Sequence, residues 1–196
     1  MKRSTRMAAI GSLLLLPCVA SAATWKIDSD HTTIQFKVRH LMVSNVSGKF
    51  DKFQGTILSD DKDLGKSTVD ISIDAASVNT GVVKRDEDLR SPNFLDVAKY
   101  PTIAFRSKKV EAAGEGKLKM TGDLTIHGVT RPVVLDVEGP SPELKDPWGM
   151  IRRGVAATAK INRKDFGLVW NQALEAGGVM VGDEITITLD AEFVKE

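Results

Sequence analysis

Apolar and polar side chains alternate with a period of two through most of this chain, and that period restricts the fold more than any other feature. In Thr32-Thr33-Ile34-Gln35-Phe36-Lys37-Val38-Arg39, the set Ile34, Phe36, Val38 falls on one face and Gln35, Lys37, Arg39 on the other. Such a segment is a strand with one face buried. Val69, Ile71, Ile73 against Asp70, Ser72, Asp74 read the same way, as do Leu118, Met120, Leu124, Ile126 against Lys117, Lys119, Asp123, Thr125. Further strands are expected at 49–59, 102–110, 131–138, 153–161 and 184–194, which brings the number to eight.

The links between these strands suit an antiparallel arrangement. His127-Gly128-Val129-Thr130 is short enough to turn a hairpin, and Gly55, Gly122 and Gly154 inside strand patterns predict bulges or bends. Only Val83 to Ser91, stopped by Pro92, and a turn around Asn93 to Ala98 read as helical, which places one helical excursion between the third and fourth strands. The segment 139–152, with Pro140, Pro142, Pro147 and Gly149, reads as an irregular loop. Eight antiparallel strands can close as a barrel or split into a two-sheet sandwich. Sequential strands with short links favour an all-β eight-stranded antiparallel barrel, because closure removes exposed edges. No linker or repeat divides residues 23–196, so one domain is expected.

The chain opens with Lys2, Arg3 and Arg6, an apolar run from Met7 to Val19, and Ala20-Ser21-Ala22. That order is the pattern of a secretory signal peptide cleaved after Ala22, and the run is too short for a membrane span. The expected compartment is the periplasm. Cys18 could instead mark a lipoprotein, but Pro17 stands where a small residue is needed. Removal of residues 1–22 of 196 leaves 174 and takes away the one cysteine, so the remainder has neither disulfide nor thiol chemistry. Three of 27 basic residues and none of 26 acidic ones lie in the leader, so the remainder has a formal balance of −2. Nothing in that balance asks for nucleic acid.

No catalytic constellation emerges. His31, His40 and His127 lack ligand-like spacing, and a metal site would need them to meet a carboxylate in space. Asp60, Asp61 and Asp63 lack the spacing of a calcium loop and read as a solvated turn. There is no Gly-x-Ser-x-Gly, and no cofactor is called for. Arg85 and Asp86 open the helical excursion; they are candidates for a ligand headgroup, against a reading in which they only stabilise the helix start. Trp148 and Trp170 fall in loops, where they would rim a mouth or plug a barrel end. The inward set Phe36, Ile71, Ile73, Phe105, Met120, Leu124, Leu135 and Ile187 either fills the core or lines a cavity, with Ala104, Gly122, Ala157 and Ala159 as small positions that leave room.

Several segments together resemble the YceI-like family of periplasmic proteins. They are Arg85-Asp86-Glu87-Asp88-Leu89-Arg90-Ser91-Pro92-Asn93-Phe94-Leu95-Asp96, then Tyr100-Pro101, then Gly122 to Val133, with Asp146-Pro147-Trp148-Gly149, Arg163-Lys164-Asp165-Phe166-Gly167-Leu168, the opening Trp25-Lys26-Ile27-Asp28 and His31. Asp88 departs from a position where relatives often carry His. The resemblance implies a lipocalin-like barrel whose apolar tunnel holds a polyisoprenoid, an isoprenoid quinone or another long-chain lipid, without an enzymatic reaction. Two other readings stay open: a cell-envelope enzyme acting on a lipid through Arg85, Asp86 and a histidine, and a solid barrel that binds a protein partner.

N-terminal sequencing of the exported protein is expected to begin at Ala23. A diacylglyceryl mass on Cys18, or an intact precursor in the soluble fraction, would overturn that expectation.

Overall fold

The computed structural model describes residues 22–60, 62–175 and 177–196. Residues 1–21, where a signal peptide was expected, with Cys18 among them, and Asp61 of the expected acidic turn lie outside that range. The strands are β1 (Ala23–Ile27), β2 (Thr33–His40), β3 (Ser44–Phe50), β4 (Phe53–Ser59), β5 (Thr68–Asp74), β6 (Val78–Asn79), β7 (Thr102–Ala112), β8 (Lys117–Ile126), β9 (Val129–Glu138), β10 (Leu144–Lys145), β11 (Ile151–Asn162) and β12 (Val181–Lys195), with one helix, α1 (Val83–Arg90).

These pieces make eight staves. β1 and β2 lie antiparallel along the same edge of β12, with Ile27 opposite Phe193 and Thr33 opposite Asp190, so they are one stave interrupted by residues 28–32. β3 pairs with β2 and β4 with β1, and they are likewise one stave; β5 and β6 flank these as the third. β7, β8, β9 and β11 follow, each antiparallel to its neighbour, and β11 pairs with β12 from Arg152 opposite Val194 to Asn162 opposite Glu184. That last pairing closes the barrel. The short β10, on β11, regularises part of what was expected to be an irregular loop.

Closure sends one face of every stave inward. Ile34, Ile71, Ile73, Ile103, Leu124, Ile126 and Ile161 form the main buried cluster, and Leu135, Val137, Ala157 and Ala159 a second one against it. Burying a Leu- or Ile-sized side chain contributes about 1.5–3 kcal/mol, so the alternating stripes are the main source of stability. Outward positions carry the charges, as in the Asp70–Arg106 and Lys119–Asp136 pairs across neighbouring strands.

The excursion between third and fourth staves is α1 and the turns after it. β7 pairs with β5 but not with β6, so beside β6 the wall is made by Leu89, Phe94 and Leu95. α1 has no side-chain cap at its start. Its first turn is instead tied down by the buried Asp86, whose carboxylate accepts from Thr80 N at 2.9 Å and Thr80 Oγ1 at 2.5 Å. At the other end Arg90 donates to the carbonyls of Ala76 and Val78, both at 2.7 Å. His127 and Gly128, with φ of 52° and 73°, turn the β8–β9 hairpin in two residues.

Two expectations need correction. Gly55 and Gly154 lie in regular register and mark no bulge; the one near Gly122 is on β7, between Ser107 and Lys109. Gly55 and Gly122 serve close approach instead: Ile71 lies over the first, and the Phe105 ring over the second. Ala104 does not face inward, because Ile103 and Phe105 on either side of it do.

Gly122→Ala would drive its Cβ into the Phe105 ring and to 2.6 Å from the Arg106 carbonyl oxygen, whereas a Cβ at Gly154 meets nothing nearer than 3.7 Å. Gly122→Ala is expected to cost about 1–3 kcal/mol in denaturant unfolding. Gly154→Ala should be neutral or slightly stabilising, since φ is ordinary there and the unfolded chain loses freedom.

Candidate functional site

The barrel is not filled. One cavity of about 180 Å³ occupies the half bounded by Phe36, Val38, Leu89, Phe94, Leu168 and Val181. A second, of about 120 Å³, occupies the half bounded by Trp25, Ile57, Leu118, Val137, Val155 and Phe193. Ile71, Phe105, Leu135 and Leu189 line both and form a waist between them. An apolar cavity of roughly 150 Å³ already stays dry and admits a benzene-sized guest.

All eight residues expected inside the barrel line this space. Phe36, Ile71, Ile73, Phe105, Leu124, Leu135 and Ile187 face the first cavity, and Met120 the second. Aliphatic and aromatic side chains thus make up nearly the whole wall, with Gln35 and Arg163 as the polar residues at the first cavity and Ser59, Ser67 and Arg153 at the second. Such a lining attracts methylene groups and offers no pair of groups for proton transfer.

The four expected mouth residues do not converge. Arg85 donates to Thr80 Oγ1 at 2.8 Å and to the Thr80 carbonyl at 3.1 Å, Asp86 accepts from the same threonine, and neither lines a cavity. Trp148 is 83% exposed, in the turn before β11. Trp170 packs on Phe94 with ring centroids 5.2 Å apart and so backs the wall of the first cavity from outside.

Two arginines that sequence reasoning passed over hold the ends of the barrel. Arg163 is almost wholly buried, and its guanidinium donates to the carbonyls of Leu168, Trp170, Val181 and Gly182. Burial pushes its pKa down while the carbonyls satisfy its donors. It thereby ties Leu168 and Trp170 to the start of β12, and Leu168 lines the first cavity. The signal was present in the sequence: Arg163 continues the inward phase of Ala157, Ala159 and Ile161.

At the opposite end Arg152 donates to Asp28 at 2.6 Å, to Glu192 at 2.5 Å and to Asp146 at 2.7 Å. Asp146 in turn accepts from the amides of Trp148 and Met150, which holds the loop that carries Trp148. Asp28, His31 and Glu192 bring ligand-type atoms within 4.8 Å of one another, but the Arg152 guanidinium already compensates the two carboxylates. Hydrogen bonding from Arg152 holds the Asp28 carboxyl down at about 2, and Asp28 raises His31 above its ordinary 6.5.

A YceI-like domain matches residues 25–193. The chain belongs to the YceI-like family. A UPF0312 protein of Vibrio cholerae is 37% identical over 170 residues, covering 86% of this chain and 89% of its own. A UPF0312 protein of Shewanella denitrificans is 38% identical over 170 residues, covering 86% and 88%. The crystal structure of the Campylobacter jejuni YCEI protein superposes with a TM-score of 0.69 at 33% identity, over 82% of this chain and 91% of that one. A polyisoprenoid binding domain from Saccharophagus degradans shares the fold with a TM-score of 0.64 at 18% identity, over 88% and 98%. The closed YceI-like barrel is therefore a feature of this chain and its structural neighbours alike.

The Arg152 cluster sets a pH window. Asp28 contributes stability that is present above its ordinary value of 3.8 and is lost as pH falls through about 2; His31 contributes below 6.5, and that part fades as pH rises through its elevated value. The melting temperature is expected to be highest between those two ordinary values and to fall steeply in acid. Arg152→Gln should lower it at neutral pH and flatten the acid limb, because the carboxylates then resist protonation less. An unchanged acid limb in that variant would remove Arg152 as the cause.

Proposed function

We propose that this protein is a periplasmic carrier that holds a long apolar chain inside its barrel, the chain being a polyisoprenoid, an isoprenoid quinone or a fatty-acyl amphiphile. The observation that carries the reading is the pair of carbon-lined cavities placed end to end with a shared waist. Transfer of methylenes from water is worth about 0.8 kcal/mol each, so even about ten of them supply several kcal/mol before ordering costs. No polar constellation is needed for that.

Family membership supports the reading, as does the polyisoprenoid binding named for the Saccharophagus domain. The leader-like first residues support export, and no described helix is long and apolar enough to cross a membrane. An enzymatic reading has less to stand on, since Arg85 and Asp86 are both engaged with Thr80.

The test is native mass spectrometry of protein purified from a periplasmic extract, with organic extraction of whatever accompanies it. A long-chain lipid is the expected guest. Leu124→Trp places a larger side chain in the first cavity, and Asp123→Ala alters the outward neighbour, which bridges Lys108 at 2.7 Å. Leu124→Trp is expected to stay folded, to lose less than the roughly 1–3 kcal/mol of a full core, and to weaken binding of a fluorescent long-chain probe about tenfold or more. Asp123→Ala should change neither by much. Severe destabilisation of Leu124→Trp with no probe binding in the parent would mean a packed barrel.

A further inference from the structure

The end of the barrel at the first cavity carries apolar side chains that cover nothing. Val43 is 74% exposed at the tip of the β2–β3 hairpin, Val83 is 75% exposed at the start of α1, and Val169 is 65% exposed in the segment held by Arg163; Met42 and Val82 stand half exposed beside the first two. The backbone places them on one end. β6 pairs with β3 at Phe50 and Lys49 and leads toward α1 along the direction of the hairpin tip. The hairpin is tied to the other segment by Leu41 N donating to the Met180 carbonyl at 2.8 Å.

These tips are held firmly. Leu41 and Met42 both have positive φ, 51° and 61°, and Arg39 donates to the Met42 carbonyl at 2.8 Å. Asp86 and Arg85 fix Thr80, and with it the approach to Val82 and Val83. The same segments supply the cavity wall from their inner sides: Leu168 lines it while Val169 faces out, and Val38 and Leu89 line it below the hairpin and the helix start. Arg39 and Lys84 stand directly beside the apolar tips, Arg39 three residues before Met42 and Lys84 next to Val83 in sequence, and neither makes an ion pair among the described residues; the exposed acids of the same segments, Glu87 and Glu175, lie further from the tips, four residues after Val83 and six after Val169. The Trp148 end is also apolar at its tip, but there the basic groups Arg152, Arg153 and Lys195 are already taken up in ion pairs with Asp28, Asp146, Glu192 and Glu143.

We propose that the hairpin tip, the start of α1 and the Val169 segment form a face that docks on an anionic lipid bilayer, so that the first cavity meets the membrane that supplies or receives its chain. The inference rests on the carrier reading given above. Apolar tips would enter the interface while Arg39 and Lys84 face the headgroups, as basic and apolar groups share the work in peripheral membrane binding. The partner is a lipid surface rather than a single lipid.

The test is sedimentation with vesicles of phosphatidylethanolamine and phosphatidylglycerol, set against vesicles of phosphatidylcholine alone. All variants carry the same N-terminus, so any contribution from the first residues is common to them. The parent should prefer the anionic vesicles. Val43→Ser with Val83→Ser should weaken partitioning about tenfold on both, and Lys84→Gln about fivefold on the anionic vesicles only. Trp148→Ala should bind like the parent. These sites are exposed, so melting temperatures should hold, and organic extraction of the same preparations reports the guest separately. A parent that contains a guest but ignores both vesicles overturns docking, as does a loss that follows Trp148→Ala instead of the valines. A parent that docks but contains no guest overturns the carrier reading and leaves the docking face standing.

Discussion

β12 is hydrogen-bonded along both edges, to β11 on one side and to β2 and β1 in succession on the other. The rest of the molecule depends on this double pairing. An open sheet of these strands would expose two unpaired edges and one apolar face. Once β12 joins its two ends, every inward side chain faces the same axis. An eight-stranded barrel is at the size where its interior is either just filled or can hold one small guest. Here small side chains on the inner face, Ala157 and Ala159, leave space that the larger residues do not fill, and two carbon-lined cavities are the result.

A hollow barrel needs its ends managed, and each end of this one has an arginine. Arg163 satisfies two loop carbonyls and two at the start of β12 from a buried position, and so ties Leu168, which lines the first cavity, to that strand. Arg152 ties residues 28, 146 and 192 together and fixes the loop at the other end. The two work by different physics. Arg163 works mainly through carbonyl acceptors, with the Asp183 carboxylate at 3.4 Å as its one charged partner, whereas the Arg152 cluster depends on carboxylates staying ionised.

Much of the fold was legible because period two is a direct readout of burial when one face meets a core. Each of the eight larger residues expected inside lines a cavity, since Ile71, Leu124 and Ile187 can reverse face only if their whole strands slip register. β1 and the first half of β3 were harder to see: β1 is five residues long, and β3 hides its inward phase at Gly48, where the Phe36 ring takes the place of a side chain. Ala104 faces outward because its neighbours Ile103 and Phe105 face in, and small size by itself carries no information about strand phase.

The sequence by itself determined the class of fold, the inward set and the single helical excursion, because each follows from side-chain periodicity and local breakers along the chain. Only the tertiary structure decided that the barrel is hollow, that a waist at Phe105 divides it, and that Arg85 and Asp86 both hydrogen-bond Thr80. Those outcomes depend on the distances between staves remote in sequence. No local pattern encodes how much volume eight inner faces leave unfilled once the sheet has closed on itself.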